Sequence, residues 1–299
     1  MVAATVRTAV DNVSQAFRDF DHPDPRYDEE GRTSRLLQMQ YKGYKEQDPS
    51  EKHQKAIPFS VIRQMNIQAV SDLDSAIATI CTGAIFFCMR SCEYSKVQAQ
   101  DDRKTKLLCL RNFRFFANNK ELDQKKDDIS SASLISITFE DQKNREKHES
   151  INLHKTSDKT LCPVKSWAKT INRIWTYEGT SLDTPINEFR RNNKSFQISN
   201  NNIKNALKST VDTMQDFNLG FSGDDVGTHS IRAGGAMAMV LAKVDTYIIK
   251  LQGRWKSDAF MKYIRKQVQQ FSSDISDKMI LKEHFNHVPI DLNLCFHLN

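Results

Sequence analysis

The chain has 299 residues, of which 39% are hydrophobic and 27% are charged, and its formal net charge is +6. This length suits one large domain or two smaller ones, and the composition is that of an ordinary globular protein with room for an anionic partner. Because no apolar run approaches a membrane span and the N-terminus lacks the basic and apolar regions of a signal peptide, we expect an intracellular protein with no membrane partner.

The first part of the chain predicts two helices and little core. Apolar residues recur at three- and four-residue steps in 3–20, and a second helix follows at about 33–45. A proline-containing break separates them, and the polar stretch 47–54 reads as a linker. Residues 1–56 are therefore predicted to be an N-terminal helical segment, which is either a small cap or a shortened helical domain.

Residues from Ile57 onward are predicted to form a larger domain. A helix is predicted from Pro58 to about Ala69, and a second helix over 73–97 is apolar nearly all round, so it should be buried. Arg90 and Glu93 are then expected at the carboxyl end of that buried helix. Ser71 or Asp72 would cap its start.

Alternating apolar and polar residues predict a small sheet next. Residues 106–116 form one strand, and residues 133–140 and 148–155 form a hairpin with a polar turn at 141–147. Helices are predicted from Pro163 and over about 202–217, with loops between them. The predicted fold class is α+β, mostly helical, with a small antiparallel sheet of about three strands.

The cysteines predict no disulfide framework and no metal site. They lack the paired spacing of zinc ligands, and three of them fall at helical spacing in the apolar stretch 73–97. We expect reduced side chains packed in a core. The six are Cys81, Cys88, Cys92, Cys109, Cys162 and Cys295.

A histidine and an arginine three residues apart mark a candidate anion site. With Thr228 as the N-cap, His229 and Arg232 share one face of the first turn of a helix. Free N–H groups and the helix dipole favour an anion there. The small residues that follow allow another element to approach this helix closely. A capping histidine beside a surface arginine is the alternative.

Two further basic residues suit the same kind of site. An arginine at the end of a buried helix needs a partner, and Glu93 is correctly spaced to orient Arg90. This pair is either purely structural or aims a guanidinium at a phosphate. Lys143 lies at the predicted hairpin tip, where a lysine either is solvated or enters a nucleic-acid groove.

Arginine, lysine, His-x-x-Arg, tryptophan and tyrosine follow one another in an order that resembles the tyrosine recombinase (phage integrase) family. The resemblance covers roughly residues 57–285, and its last two segments, around Arg232 and around Tyr263, look especially like recombinases of eukaryotic mobile elements of the Crypton and DIRS types. It is carried by FFCMRSCEYSKV around Arg90, ITFEDQKNREKHESINL around Lys143, THSIRAGGA around His229 and Arg232, and GRWKSDAFMKYIR around Trp255 and Tyr263.

The resemblance implies a DNA-breaking and rejoining enzyme with a catalytic domain at 57–299. Tyr263 would attack a phosphate to form a 3′-phosphotyrosyl ester, and Lys143 would protonate the 5′ oxygen, with Lys147 as the alternative lysine. The remaining catalytic residues would bind the phosphate, and no cofactor, metal or ATP is implied. They are Arg90, His229, Arg232 and Trp255, supported by Glu93 and Arg254.

One spacing departs from the family pattern. The family tryptophan or histidine precedes the tyrosine by nine residues, whereas Trp255 precedes Tyr263 by eight and Arg254 by nine. Either residue therefore fills that role, and Trp255 is the preferred assignment. Tyr247 is a competing tyrosine, but it lies before the Gly-Arg-Trp segment.

The implied partner is double-stranded DNA, bound by a homo-oligomer of two pairs of protomers on two duplexes during recombination or integration of a mobile element. A eukaryotic host would place the protein in the nucleus. Three alternatives stay open from the sequence. They are a type IB topoisomerase-like relaxing enzyme, a catalytically decayed DNA-binding protein of the same family, and a helical adaptor with a basic face.

Overall fold

The computed structural model describes residues 2–48, 54–96, 105–141, 147–192, 194–257 and 260–261. They fall into two compact units, the first ending at His53 and the second beginning at Gln54. Among the helices described, none has the length and apolar character that a bilayer crossing requires. The predicted fold class is confirmed, since helices dominate and surround a small antiparallel sheet.

The first unit is a pair of helices, α1 (Ala3–Asp19) and α2 (Arg35–Gln47), close to the predicted bounds. The Ser34 hydroxyl caps α2 by accepting the Leu37 N–H at 3.5 Å. Within residues 2–48, Ser14 is buried but no hydrophobic side chain is. This unit therefore has little apolar core of its own.

The second unit is built around the buried helix α4 (Asp72–Phe86), which follows α3 (Phe59–Gln68). Ser71 and Asp74 form a capping box at its start, in which the Ser71 hydroxyl accepts the Asp74 N–H at 3.1 Å. Every residue from Ala76 to Ile85 is buried, as the all-round apolar pattern predicts. The predicted continuation to residue 97 is wrong, because the chain turns after Phe86 and starts the short helix α5 (Ser91–Tyr94).

The sheet has four antiparallel strands in the order β2-β1-β3-β4. They are β1 (Phe113–Ala117), β2 (Lys120–Leu122), β3 (Leu134–Asp141) and β4 (Lys147–His154). The hairpin β3–β4 matches the prediction, whereas the strand predicted over 106–116 begins only at Phe113, after a 3₁₀ turn. The three-residue β2 adds a strand that the sequence pattern does not show. Phe113 lies opposite Ile137, which lies opposite Ile151, so one face of the sheet is apolar and buried.

Helix α6 (Pro163–Trp175) packs on α4 through Trp167. A Cβ on Gly83 would lie 2.3 Å from the Trp167 ring, and the Trp167 and Phe113 ring centroids are 4.8 Å apart. This glycine therefore lets the indole lie directly on α4 and join the helix to the sheet. The remaining elements are β5 (Glu188–Arg191), β6 (Lys194–Gln197), α7 (Asn200–Thr213), α8 (Thr228–Leu241) and α9 (Thr246–Gly253).

Two glycines bring α8 into close contact with Ile57 and with the carboxyl end of α4. A Cβ on Gly234 would lie 2.3 Å from the Ile57 carbonyl oxygen, and one on Gly235 would lie 2.2 Å from the Ile85 carbonyl oxygen. Real Cβ atoms do not approach backbone this closely, so both positions need glycine. The close approach expected from the small residues of α8 is confirmed, and it sets α8 beside the carboxyl end of α4.

Candidate active site

The carboxyl end of α4 is a tight turn that leads into α5. Cys88 has a φ of 44°, and its N–H donates to the Ile85 carbonyl at 3.2 Å. The Met89 N–H donates to the Ala84 carbonyl at 3.0 Å, which completes a Schellman motif with cysteine at the position where glycine is usual. Arg90 is therefore the N-cap of α5, and the prediction that it lies at the carboxyl end of the buried helix α4 is wrong.

Helix α9 ends in the same way. Arg254 has a φ of 57°, and its N–H donates to the Leu251 carbonyl at 3.0 Å. The Trp255 N–H donates to the Lys250 carbonyl at 2.9 Å. Arginine thus occupies the left-handed position of a second Schellman motif, and the last carbonyls of both helices lie close to three arginine side chains.

Main-chain carbonyls at these two helix ends hold the arginines. Arg232 donates to the Cys88 carbonyl and, at 2.6 Å, to the Gly253 carbonyl. Arg254 donates to the Phe87 carbonyl at 3.2 Å, and Arg90 donates to the Arg254 carbonyl at 3.4 Å. Because the carboxyl end of a helix carries partial negative charge, these contacts stabilise guanidinium groups.

One carboxylate, that of Glu93, is shared by two of the arginines. Its Oε1 accepts from Arg90 Nη1 at 3.0 Å, and its Oε2 accepts from the Arg90 N–H at 2.7 Å and from Arg254 Nη2 at 2.7 Å. The Glu93 side chain is only 1% exposed. The Arg90–Glu93 ion pair predicted from their spacing is confirmed, and Arg254 joins it.

We call Arg90, Glu93, Arg232 and Arg254 the arginine cluster. Within this cluster the Arg90 side chain is 19% exposed, whereas the Arg254 side chain is fully buried. Burial, followed by repulsion from Arg254 and Arg90, lowers the pKa of Arg232 to about 9. Burial also lowers the pKa of Arg254. Three guanidinium groups, two of which pair with Glu93, lie close together in this cluster, an arrangement that would stabilise a bound anion.

The first turn of α8 presents Arg232 inward and His229 outward. Gly227 is the N-cap and not Thr228, which is the first helical residue. The Gln54 side chain accepts the His229 N–H at 3.1 Å and thereby satisfies one of the unpaired donors of this turn. The His229 side chain is exposed, whereas Arg232 is 6% exposed.

Trp255 lies partly exposed beside Arg232. Its ring centroid is 4.2 Å from the Arg232 guanidinium carbon, so the two groups stack. A Cβ on Gly253 would lie 1.6 Å from the Trp255 ring, which means that the indole folds back over the end of α9. The Trp255 ring also packs against Phe260, and the two ring centroids are 5.3 Å apart.

The structure brings five of the predicted site residues into contact with one another and leaves others undetermined. His229 lies on the same helical turn as Arg232. Lys143 and Tyr263 lie outside the described residues, and only the backbone of Lys147 is described. The contacting residues are Arg90, Glu93, Arg232, Arg254 and Trp255.

Sequence reasoning missed the main-chain part of the site. The carbonyls of Phe87, Cys88 and Gly253 hold the guanidinium groups. Because every residue has a main-chain carbonyl, the residue types do not predict these contacts. Gly253 before an Arg-Trp pair was the available signal for a helix end. Nothing in the sequence marks Cys88 as a left-handed residue.

The fold is similar to that of solved integrase and recombinase structures. The integrase of transposon Tn1549 in complex with a circular intermediate DNA aligns with a TM-score of 0.50 and 8% identity, over 90% of this chain and 80% of that chain. XerH site-specific recombinase bound to difH substrate aligns with a TM-score of 0.45 and 13% identity, over 83% of this chain and 59% of that one. XerA recombinase aligns with a TM-score of 0.40 and 10% identity, over 96% of this chain and 84% of that chain. No protein-family model and no curated protein sequence matches the chain.

Proposed function

We propose that this protein breaks and rejoins DNA through a 3′-phosphotyrosyl intermediate and acts as a site-specific recombinase or integrase of a mobile element. The observation that carries the proposal is the arginine cluster, in which Arg90 and Arg254 share the buried carboxylate of Glu93 and Arg232 stacks on Trp255 beside them. Guanidinium groups arranged in this way suit one phosphodiester group. The recombinase-like fold is consistent with this use.

Arg90 and Arg232 are the proposed ligands of the non-bridging phosphate oxygens. Arg90 is the more exposed of the two and is oriented by Glu93. Arg232 is fixed by two carbonyls and by the ring of Trp255. Guanidinium groups held in this way need little reorganisation when negative charge develops on the phosphorus oxygens. The indole N–H of Trp255 and the imidazole of His229 would add donors to the same phosphate.

The covalent step is assigned to two residues outside the described part of the chain. The Tyr263 hydroxyl gives its proton to the imidazole of His229 and attacks phosphorus, the bond from phosphorus to the 5′ oxygen breaks, and Lys143 gives that oxygen a proton. Lys147 is the alternative proton donor. Rejoining reverses each transfer, because the phosphotyrosyl ester keeps the energy of the broken bond. No ATP enters this balance.

The proposal extends to the assembly. Residues 57–299 are assigned as the catalytic domain and residues 1–56 as a helical segment that adds to DNA binding. Two pairs of protomers on two DNA duplexes would exchange strands. A monomer that relaxes supercoils by the same chemistry is the neighbouring possibility, and a relaxation assay on a supercoiled plasmid separates the two.

The test traps the covalent intermediate. The substrate is a pool of labelled duplexes with randomised sequence and a nick on one strand. Cleavage close to the nick releases the short fragment that carries the new 5′ hydroxyl, so the strands cannot rejoin and the protein stays attached to DNA. We expect a labelled adduct that survives denaturation for the wild type and is absent for Tyr263→Phe. Tyr247→Phe is the matched control, because Tyr247 is 65% exposed and should be dispensable.

Three results would count against the proposal. An adduct that persists in Tyr263→Phe removes the nucleophile assignment. The complete lack of an adduct, together with binding that weakens steeply with salt, identifies a DNA-binding protein without cleavage. Binding that is insensitive to salt removes DNA as the partner.

A further inference from the structure

We infer that Arg254 is a positioning residue that holds Glu93 so that Glu93 can aim Arg90, and that Arg254 does not itself contact the phosphate. The inference rests on the proposed function, since it gives Arg254 a role in that reaction. It also separates two residues, Arg254 and Trp255, that the sequence spacing alone leaves interchangeable.

The surroundings of Arg254 leave it no route to a DNA strand. Its side chain is fully buried. Nη2 donates to Glu93 at 2.7 Å, Nη1 donates to the Phe87 carbonyl at 3.2 Å, and the guanidinium carbon lies 3.5 Å from the centre of the Phe139 ring. Its Nε is buried and lacks a hydrogen-bond partner within the described residues. Both terminal nitrogens are therefore bound to protein acceptors and the whole side chain is buried, so no N–H edge of the guanidinium is open to a phosphate.

Glu93 needs a second cation in order to orient the first. Without Arg254, the Arg90 N–H would be the one remaining donor to Oε2, and the carboxylate could tilt about this contact and carry the Arg90 guanidinium with it. Arg254 occupies Oε2 together with the Arg90 N–H, which leaves Oε1 for Arg90 Nη1. The division of the two oxygens thus fixes the direction in which the Arg90 guanidinium points.

The backbone of Arg254 reinforces this role. Its left-handed conformation turns its own carbonyl toward Arg90 Nη2 at 3.4 Å and leaves the preceding Gly253 carbonyl for Arg232 at 2.6 Å. Arg254 is thereby linked to both proposed phosphate ligands. Lysine at this position would keep one charge but could not span Glu93 and the Phe87 carbonyl with a rigid fork.

The experiment separates positioning from direct phosphate contact. Arg254→Met and Arg254→Lys are compared with the wild type for duplex binding across a salt series and for the single-turnover rate of adduct formation. We expect the rate to fall about 100-fold, the loss typical of a misplaced catalytic group, with the affinity and its salt slope unchanged. Arg63→Met is the matched control, because it removes an arginine from an ion pair with Asp158 that is not part of the arginine cluster.

A phosphate ligand would give a different result. Its removal would reduce the salt slope by about 0.9 and weaken binding at low salt, and this result would overturn the inference. A purely structural role would leave the adduct rate unchanged once the variant is shown to be folded, which would overturn it as well. Partial recovery of the rate in Arg254→Lys over Arg254→Met supports the role of the charge on Glu93.

A double-mutant cycle tests the path through Glu93. If Arg254 acts through this carboxylate, Glu93→Gln combined with Arg254→Met should cleave no more slowly than Glu93→Gln alone. Additive losses would overturn the inference. If the wild type forms no adduct, the proposed function has failed, and the positioning role is then judged from the same cycle measured by urea unfolding, where a coupling of zero refutes it.

Discussion

Replacing Glu93 with glutamine should destabilise the second unit strongly. The substitution keeps the shape of the side chain but removes the carboxylate that pairs with Arg90 and Arg254 at 3.0 and 2.7 Å. Removing one partner of a buried ion pair costs about 3–5 kcal/mol, because the remaining charge stays buried without compensation. Glutamine keeps one acceptor oxygen, so we expect the lower end of this range, about 3 kcal/mol.

Urea unfolding followed by tryptophan fluorescence and circular dichroism measures this loss. A loss of 3 kcal/mol corresponds to a decrease in Tm of about 6–12 °C for a unit of this size. Glu121→Gln is the matched control, because Glu121 also pairs with an arginine, Arg114, but both side chains are about half exposed. Its free energy of unfolding should change by less than about 1 kcal/mol.

The comparison has a clear failing result. If Glu93→Gln and Glu121→Gln reduce the free energy of unfolding equally, then burial of the carboxylate does not matter and the reasoning about the arginine cluster is wrong. A recovery of stability in Glu93→Gln combined with Arg254→Met would support it. That double substitution removes both the anion and the fully buried cation that depends on it.

Three further predictions concern packing, capping and thiol chemistry. Gly235→Ala should reduce the free energy of unfolding by about 1–3 kcal/mol, because its Cβ would lie 2.2 Å from the Ile85 carbonyl oxygen. The control Gly43→Ala, in the open middle of α2, should not destabilise the protein, and urea titration of both variants tests the difference. Ser71→Ala should cost about 1 kcal/mol through loss of the α4 cap, and an unchanged unfolding midpoint would argue against the cap. Burial raises the pKa of Cys88 to about 11, so its thiol should resist iodoacetamide at pH 8 in the folded protein and react in urea, as peptide mass spectrometry would show; rapid labelling without urea contradicts the buried position.

Periodicity was sufficient to predict most helices and the long hairpin. The all-round apolar pattern correctly placed α4 in the core, and the pairing of Arg90 with Glu93 followed from their spacing alone. The end of α4 was not predictable in the same way. Hydrophobicity continues past Phe86, and the residue that turns the chain is Cys88, which carries none of the conformational preference of glycine.

Short elements and buried charges were the other misses. The three-residue β2 is too short to show alternation, and its pairing with β1 decides its conformation. Arg254 was expected to support the site or to take the place of Trp255, but its burial was not predictable, because its partners, Glu93 and the Phe87 carbonyl, lie more than 150 positions away in sequence. Contacts of this range depend on the fold and are not encoded in local sequence.

The main-chain carbonyls around Arg232 have a consequence for how such a site varies among proteins. Cys88 and Gly253 contribute an oxygen that every amino acid possesses, so the hydrogen bonds to Arg232 depend on the shape of two helix-ending turns and not on the chemistry of these two side chains. A carbonyl also carries no full charge, so it secures a guanidinium without competing with an incoming anion as a carboxylate would. Substitutions of Cys88 that keep the left-handed turn are therefore expected to be tolerated, whereas Gly253 is restricted further, because a Cβ there would lie 1.6 Å from the Trp255 ring.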